Sequence, residues 1–336
     1  MKIDYKILFA TKLLTVLVGI TVSSASTLKV HFMAGQSNTS GYGDFSDGAY
    51  QSNQAIDSQV LYYYHVDTAY GTTGTGGVSD GVETLDTYRL DGGQNAYSQY
   101  NESLGTYDSA NGTGRWGAEI AFGRGLATNT NDTHAIVKIS EGGTSLYEHW
   151  NTSGWDPGSN PDVGGVAWQT WLGQTSASLD LFESAGYDVE IASFTWLQGE
   201  ADSFNLDRAA AYAGNFSDLV TAVLNYFEFN GYSTEDTILM NNSFSHLPDT
   251  YVDSASVRTA QQDVMDQYQN GFYIDNSEYS DESHYFDRIH YNGDTLNAIG
   301  STMADVYINN SGSVPEPSMI CLLGVFNLFL LKRRVR

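Results

Sequence analysis

Residues 28–38, Leu-Lys-Val-His-Phe-Met-Ala-Gly-Gln-Ser-Asn, decide the fold prediction. Residues 28–34 form an apolar run that is typical of a buried strand, and the polar, glycine-containing sequence after them ends that strand. Further apolar runs follow at residues 135–140, 189–197, 237–241 and 271–275. We interpret all five runs as strands of one sheet.

Stretches with apolar residues at helical spacing lie between and after these strands, at residues 119–126, 168–182, 208–227, 254–268 and 294–307. Strands that alternate with crossover helices build a mainly parallel sheet with helices on both faces. The sequence therefore predicts an α/β protein, a three-layer α/β/α sandwich with five strands.

One long segment, residues 42–114, does not fit this alternation. It is rich in Gly, Ser, Thr, Asp and Tyr, and it holds one strand-like run at residues 60–66. A loop of this length is unusual in a compact domain. We expect this insertion to pack over the sheet edge or the candidate site and to shape substrate access.

The first 25 residues have the pattern of a secretory signal. Three lysines are followed by an apolar run at residues 13–22 and by the small residues Ser-Ser-Ala at 23–25. Such a segment is removed during export, and the pattern predicts cleavage after Ala25. The remaining domain would then cover residues 26–310.

The C-terminal residues also have the pattern of a targeting segment. Residues 314–318, Val-Pro-Glu-Pro-Ser, precede an apolar stretch at 319–331 and a basic cluster at 332–336. This order resembles the PEP-CTERM sorting signal of Gram-negative bacteria, which a membrane-embedded, sortase-like enzyme recognises and usually removes. The apolar stretch of about 13 residues is short for a span that needs about 20. We expect an exported protein with a transient C-terminal anchor and a sorting enzyme as partner; an ordinary membrane anchor is the alternative.

The charge of the chain excludes one class of partner. The formal net charge is −25, and removal of both ends would take away seven basic and two acidic residues, which gives −30. A protein that binds phosphates electrostatically presents clusters of Lys and Arg, so we expect no nucleic-acid partner.

The single cysteine, Cys321, lies in the C-terminal tail. The domain at 26–310 therefore has no disulfide and no thiol nucleophile.

Two motifs follow predicted strands directly. Ser37 comes after the first strand, where ligands bind in open α/β sheets. Taken alone, a serine in this place is more often a turn or helix-capping residue. Gly142 and Gly143 come after the second strand, and paired glycines let backbone N–H groups approach a ligand as an oxyanion hole requires. A plain tight turn is the alternative interpretation of the two glycines.

Two further motifs carry ionisable side chains. Gln198, Glu200 and Asp202 end the strand at 189–197, and their burial together would be costly unless they are paired or functional. Asp202 alone could also cap the next helix. Asp287 precedes His290 by three residues, so its carboxylate can accept the imidazole N–H and stabilise the cation that forms when the histidine takes a proton.

In this order, the four motifs resemble the sequence blocks of the SGNH hydrolases. The residues within the motifs are similar to those of one branch, the sialate O-acetylesterase-like carbohydrate esterases, which includes carbohydrate esterase family six. The resemblance runs from about residue 30 to 300 and implies a flavodoxin-like fold. It implies that Ser37 is the nucleophile, His290 the general base and Asp287 its orienting partner. The implied oxyanion hole combines the Ser37 N–H, a backbone N–H at Gly143 or Gly142, and the side-chain amide of Gln198.

Other residues near these motifs are candidates for lesser roles. Glu200 could assist or replace Asp287. The supporting candidates are Gln36, Asn38, Glu200 and Asp202, and the substrate-binding candidates are His149, Trp150, Trp116 and Tyr291. The remaining histidines show no metal-ligand spacing, so we expect no catalytic metal and no cofactor.

The resemblance implies an exported carbohydrate O-acetylesterase that hydrolyses acetyl esters on sugars through a serine acyl-enzyme. A non-catalytic, cell-surface carbohydrate-binding or adhesion protein on the same scaffold is the alternative. A glycoside hydrolase that uses Glu200 and Asp202 ranks last, because two carboxylates on one short segment rarely face each other across a sugar.

Overall fold

The computed structural model describes residues 25–44, 53–67, 77–78, 83–84, 115–158, 162–244, 246–247 and 250–312. The signal segment before residue 25, most of the insertion at 42–114 and the tail at 314–336 lie outside these residues, so the predictions made for them stay predictions. Among the helices in the described part of the chain, none is long and apolar enough to cross a membrane.

One mainly parallel sheet organises the described residues. Its strands are β1 (Ser26–Gly35), β3 (Val60–Asp67), β4 (Gly77–Val78), β5 (Glu83–Thr84), β7 (Thr133–Glu141), β8 (Tyr187–Leu197), β9 (Ile238–Asn242) and β10 (Gly271–Ile274). The short strands β2 (Gly43–Asp44) and β6 (Arg115–Trp116) pair with each other outside this sheet. The order across the sheet is β10-β9-β8-β1-β7-β3-β4, and β5 also pairs with β3. The strands from β10 to β3 run parallel, whereas β4 and β5 pair with β3 in the antiparallel sense.

The parallel part of the sheet has six strands where five were predicted. The extra strand is β3, which pairs in parallel register with β7 from Val60 opposite His134 to Asp67 opposite Glu141. Its side chains Tyr62, Tyr63 and Tyr64 are buried. The strand-like run at 60–66 is therefore part of the main sheet, because its apolar faces find helices on both sides.

Helices cover both faces of the sheet, which confirms the three-layer prediction. They are α1 (Ser37–Ser40), α2 (Gln54–Asp57), α3 (Glu119–Asn129), α4 (Val166–Ser184), α5 (Glu200–Ser203), α6 (Leu206–Phe229), α7 (Ser254–Met265) and α8 (Gly293–Asn310). One apolar core joins α4, α6 and α7 to the sheet. A second core joins α3 and α8 to the opposite face.

Strand β1 lies at the centre of the sheet, between β8 and β7. Residue His31 on this strand is fully buried, and its ring nitrogens contact the Ser193 hydroxyl at 2.8 Å and His134 Nδ1 at 3.0 Å. Burial lowers the pKa of His31 well below its usual value, which keeps the ring neutral. His31 is thus a core residue.

Candidate active site

A cavity of about 300 Å³ opens at the carboxyl ends of the central strands. Residues 36–37, 142–143, 200–201 and 289–290 line it, together with Tyr42 and Phe204. A cleft of about 360 Å³ beside Trp155 is larger, but the described residues that line it include no histidine and no carboxylate. The chemistry-bearing side chains therefore converge on the smaller cavity, where parallel sheets place their ligands.

The structure brings Ser37, His290 and Asp287 together in one chain of hydrogen bonds. Ser37 lies at the turn from β1 into α1, and its Oγ is 2.9 Å from His290 Nε2. His290 Nδ1 is 2.8 Å from Asp287 Oδ2. A proton on Nδ1 satisfies the carboxylate and leaves Nε2 free to accept the serine proton.

Asp287 is built to stay ionised beside the histidine. Its Oδ1 accepts hydrogen bonds from the backbone N–H groups of Ile289 and His290, at 2.7 and 2.8 Å. Partial burial raises the pKa of Asp287, but the hydrogen bonds and charge of His290 and these two N–H groups outweigh it and lower the pKa to about 2. The imidazole therefore has a carboxylate partner at neutral pH.

Glu200 does not take the place of Asp287 in this structure. Asn38 Nδ2 donates a hydrogen bond to Glu200 Oε1 and a second one, of 3.1 Å, to the carbonyl of Ile289. The Asn38 Oδ1 accepts from the N–H of Tyr291 at 3.0 Å. Glu200 is thus joined through Asn38 to both neighbours of His290, and it supports the position of the histidine segment.

The carboxyl group of Glu200 is fully buried at the cavity wall. Burial raises its pKa to about 7, although the hydrogen bond from Asn38 opposes this shift. Its Oε2 has no hydrogen-bond partner among the described residues. Near neutral pH this group therefore exchanges between its acid and its carboxylate form.

Gly142 and Gly143 line the cavity next to Ser37. They follow the end of β7. Gly143 has a φ of 72°, a backbone conformation that costs residues with a Cβ conformational energy. A Cβ added there would meet no atom within 4 Å. The conformation of the turn, rather than crowding, is what favours glycine at this position.

Gln198 lies away from the cavity wall, which departs from its predicted place in an oxyanion hole. Its side chain is fully buried, and Nε2 donates to Asp202 Oδ2 at 2.6 Å, to the carbonyl of Thr144 at 3.1 Å and to Gln36 Oε1 at 3.2 Å. The buried carboxylate of Asp202 attracts the amide hydrogens that an oxyanion would need. The amide instead joins the Ser37 turn (residues 36–37) to the segment that follows the glycine turn (residues 142–143).

Asp202 binds the backbone of the segment that follows the glycine turn. Its Oδ2 accepts from the N–H of Leu146 at 2.8 Å and its Oδ1 from the N–H of Tyr147 at 3.1 Å. Burial raises the pKa of Asp202, opposed by the hydrogen bonds from Gln198 and from these backbone N–H groups. The next helix, α6, is capped by Asn205, so Asp202 caps the turn and not the helix.

The predicted substrate-binding residues are mostly out of reach of a ligand. Trp116, Trp150 and Tyr291 are at most 1% exposed and belong to the two cores. His149 is partly exposed, but its Nδ1 accepts the N–H of Ser145 at 3.1 Å and it does not line the cavity. An aromatic residue beside a site motif in sequence carries no signal of whether it faces solvent.

Two aromatic residues at the cavity were missed by the sequence analysis. The Tyr42 ring stacks on the His290 imidazole, with 3.7 Å between ring centroids and 10° between planes. Phe204 lies half-exposed at the start of the segment after α5. Tyr42 stands at the start of the polar insertion among many other tyrosines, so nothing in the sequence marked it.

No group of three or more His, Cys, Asp or Glu side chains in the described ranges could hold a metal ion. The buried ionisable groups at the site are satisfied mostly by hydrogen bonds from amides and backbone N–H groups. The arrangement is one for proton transfer between a hydroxyl and an imidazole.

A family model described as carbohydrate esterase, sialic acid-specific acetylesterase, matches residues 27–309. No curated protein matches the chain. A solved structure of a protein from Arabidopsis thaliana is 17% identical with a TM-score of 0.55, over 85% of this chain and 99% of that one. The structure of NanS is 14% identical with a TM-score of 0.56, over 85% and 98% of the two chains.

At these identities the two structures show a shared fold alone, and the family match carries the assignment. The matched residues include the Ser37 turn, the glycine turn and the Asp287–His290 segment. The protein is therefore an esterase, and it belongs to the carbohydrate esterase family of sialic acid-specific acetylesterases.

Proposed function

We propose that the protein is an exported carbohydrate O-acetylesterase that works through a serine acyl-enzyme. The observation that carries this proposal is the unbroken hydrogen-bond chain from Asp287 through His290 to Ser37, with Ser37 and His290 on the wall of the cavity. Family membership supports an acetylated carbohydrate as the substrate.

Acylation begins when the Ser37 Oγ attacks the acetyl carbonyl carbon. His290 Nε2 takes the hydroxyl proton, and the ionised Asp287 stabilises the imidazolium that results. The tetrahedral intermediate collapses when the bond to the sugar oxygen breaks, and His290 returns its proton to that oxygen. The sugar leaves with a free hydroxyl, and the acetyl group stays on Ser37.

Deacylation repeats these steps with water as the nucleophile. His290 takes a proton from water, and the oxygen of that water attacks the acyl carbonyl. The bond to Ser37 Oγ then breaks as the imidazolium returns its proton to the serine. Acetic acid leaves, and the enzyme is restored.

Backbone N–H groups at Ser37 and at Gly143 or Gly142 would stabilise the negative oxygen of both tetrahedral intermediates. The position of these two turns beside the same cavity supports this assignment. Gln198 is not part of the proposed hole, because its amide hydrogens bond to Asp202, Thr144 and Gln36. Its role is to fix the distance between the turns.

The cavity favours a small acyl group. Besides the polar residues it is lined by Tyr42, Ala201, Phe204 and Ile289, which give one side of it an apolar surface. An acetyl methyl group would bury its surface there, and the sugar would extend toward solvent. The glycan itself, whether hemicellulose, a sialic acid or an exopolysaccharide, is to be found by screening.

The test measures acetate release from a chromogenic acetyl ester and from acetylated xylan by the wild type, Ser37→Ala, His290→Ala and the surface control Ser153→Ala. We expect kcat to fall by about 10³-fold or more in the first two variants and to stay unchanged in the control. Circular dichroism checks folding. Undiminished turnover by Ser37→Ala would refute the mechanism; a folded wild type inactive on a panel of acetylated glycans would favour the non-catalytic carbohydrate-binding alternative.

The proposal of export rests on the two terminal sequence patterns. We propose removal of residues 1–25 and recognition of residues 314–336 by a membrane-embedded sorting enzyme, with a transient anchor until the tail is cut. Mass spectrometry of the protein recovered from outside the cytoplasm of a Gram-negative host tests both. Intact termini there would contradict the two cleavages, and retention in the cytoplasm would contradict export.

A further inference from the structure

The face of the Tyr42 ring covers the imidazole of His290. The centroids are 3.7 Å apart and the planes differ by 10°, so the two rings are nearly parallel and in contact. The Phe286 ring centroid lies 5.7 Å from that of Tyr42, with 46° between the ring planes. The imidazole is thus held at three places: at Nδ1 by Asp287, at Nε2 by Ser37, and on one face by Tyr42.

The backbone on both sides of Tyr42 is built to hold the ring there. Gly43 belongs to the short strand β2 (Gly43–Asp44), which pairs with β6 (Arg115–Trp116), and a Cβ on Gly43 would lie 2.6 Å from the Trp116 ring. Gly41 has a φ of 99°, and a Cβ there would lie 2.3 Å from the Trp116 carbonyl oxygen. Because neither glycine has a Cβ, the backbone packs directly against Trp116, and this packing fixes the position of Tyr42.

An aromatic ring in this place distinguishes the two protonation states of the histidine. The face of the ring carries negative charge density, so it attracts an imidazolium more strongly than a neutral imidazole. Among the described residues, the other ionisable groups around His290 are Asp287 on its own segment, Glu200 of α5 on the cavity wall, and Arg288, which pairs with Glu282 at the surface. An aromatic ring at Tyr42 can therefore stabilise the His290 imidazolium in addition to the Asp287 carboxylate.

We propose that Tyr42 is a positioning residue, which holds the His290 ring toward Ser37 and stabilises the imidazolium that forms when Ser37 gives up its proton. This inference rests on the proposed function, because it assigns His290 as the general base. Tyr42 is the first residue of the predicted insertion at 42–114, so this proposal gives one residue of the insertion a role in the site.

The experiment compares the wild type with Tyr42→Leu and Tyr42→Phe, using kcat and KM on a chromogenic acetyl ester from pH 4 to 9. With leucine, we expect the acid limb of the kcat/KM profile to move by about half a pH unit to lower pH, because the cation loses its aromatic partner. We expect kcat to fall by about threefold to tenfold with little change in KM. Phenylalanine keeps the ring and should restore the wild-type midpoint.

An NMR titration of the His290 ring C–H signals tests the stacking without turnover. The signals should titrate about half a pH unit lower in Tyr42→Leu than in the wild type. Phe229→Leu, an aromatic-to-leucine change at an exposed residue on the last turn of α6, is the matched control and should change neither readout.

Two results would overturn the inference: unchanged midpoints in Tyr42→Leu, or an equal shift in Tyr42→Phe, which would assign the effect to the hydroxyl. Because the NMR midpoint does not need activity, its shift in an inactive protein would support the stacking while the proposed function failed.

Discussion

Replacing Glu200 with glutamine should stabilise the protein at high pH and leave its stability nearly unchanged at low pH. The Glu200 side chain is buried, and burial holds its pKa at about 7 against an ordinary value of 4.5. An acid with a raised pKa in the folded state keeps its proton on folding, so stability falls as pH rises between the two values. Glutamine has the shape of the neutral acid and does not ionise.

The size of the effect follows from the two pKa values. Each pKa unit corresponds to about 1.4 kcal/mol, so the difference between about 7 and 4.5 is worth about 3 kcal/mol once the pH exceeds 7. Below pH 4.5 both the folded and the unfolded carboxyl are protonated, and this contribution vanishes. Glutamine keeps an oxygen that can accept from Asn38, so the geometry at the histidine segment is preserved.

Urea denaturation of the wild type and Glu200→Gln at pH 4.5, 6 and 8 measures this difference. We expect the advantage of the variant to grow by about 3 kcal/mol between pH 4.5 and 8. The exposed Glu235→Gln serves as the control and should change stability by less than about 0.5 kcal/mol throughout. A gap between Glu200→Gln and the wild type that is independent of pH would refute the reasoning.

Three further predictions concern the supports of the site. Gly143→Ala should lower stability by about 1–2 kcal/mol from backbone strain and lower kcat, as melting and kinetic assays would show; unchanged kcat would contradict a role for this turn. Asp202→Asn should cost about 1–3 kcal/mol and lower kcat more than it changes KM, because one of its acceptors becomes a donor. Lys138 of β7 is buried, and its Nζ lies 2.8 Å from Glu119 Oε1 of α3 and donates to the Ser40 carbonyl of α1 at 3.0 Å. Lys138→Met should cost about 3–5 kcal/mol in chemical denaturation because it leaves the buried Glu119 without this cation, and adding Glu119→Gln should restore part of that loss; no recovery would contradict the ion pair.

The sequence predicted the sheet well where strands are apolar throughout. Strands β1, β7, β8, β9 and β10 lie within two residues of their predicted bounds, because buried parallel strands appear as short apolar runs between turns. The run that forms β3 was noted as strand-like but was not counted among the strands of the sheet, because it lies in a polar segment. Its three tyrosines are ambiguous in sequence, since a tyrosine can face a core or solvent.

The site was predicted in part, for an identifiable reason. Ser37, Asp287 and His290 were recognisable because the roles proposed for them demand particular residue types at particular places in the chain, and the structure brings the three side chains together. The place of Gln198 was not predictable, because it depends on the buried Asp202 that binds its amide hydrogens. Burial of Trp116 and Trp150 likewise depends on which helices pack over them.

The bond between Ser37 and His290 joins residues 253 positions apart in the chain. Ser37 follows β1 and His290 lies three residues before α8, so the pair forms only after segments near the two ends of the described chain have come together. Contacts of such large sequence separation form late, because a long loop must close first. Regain of esterase activity during refolding should consequently lag behind the recovery of secondary structure, and turnover can serve as a clock for completion of the native state.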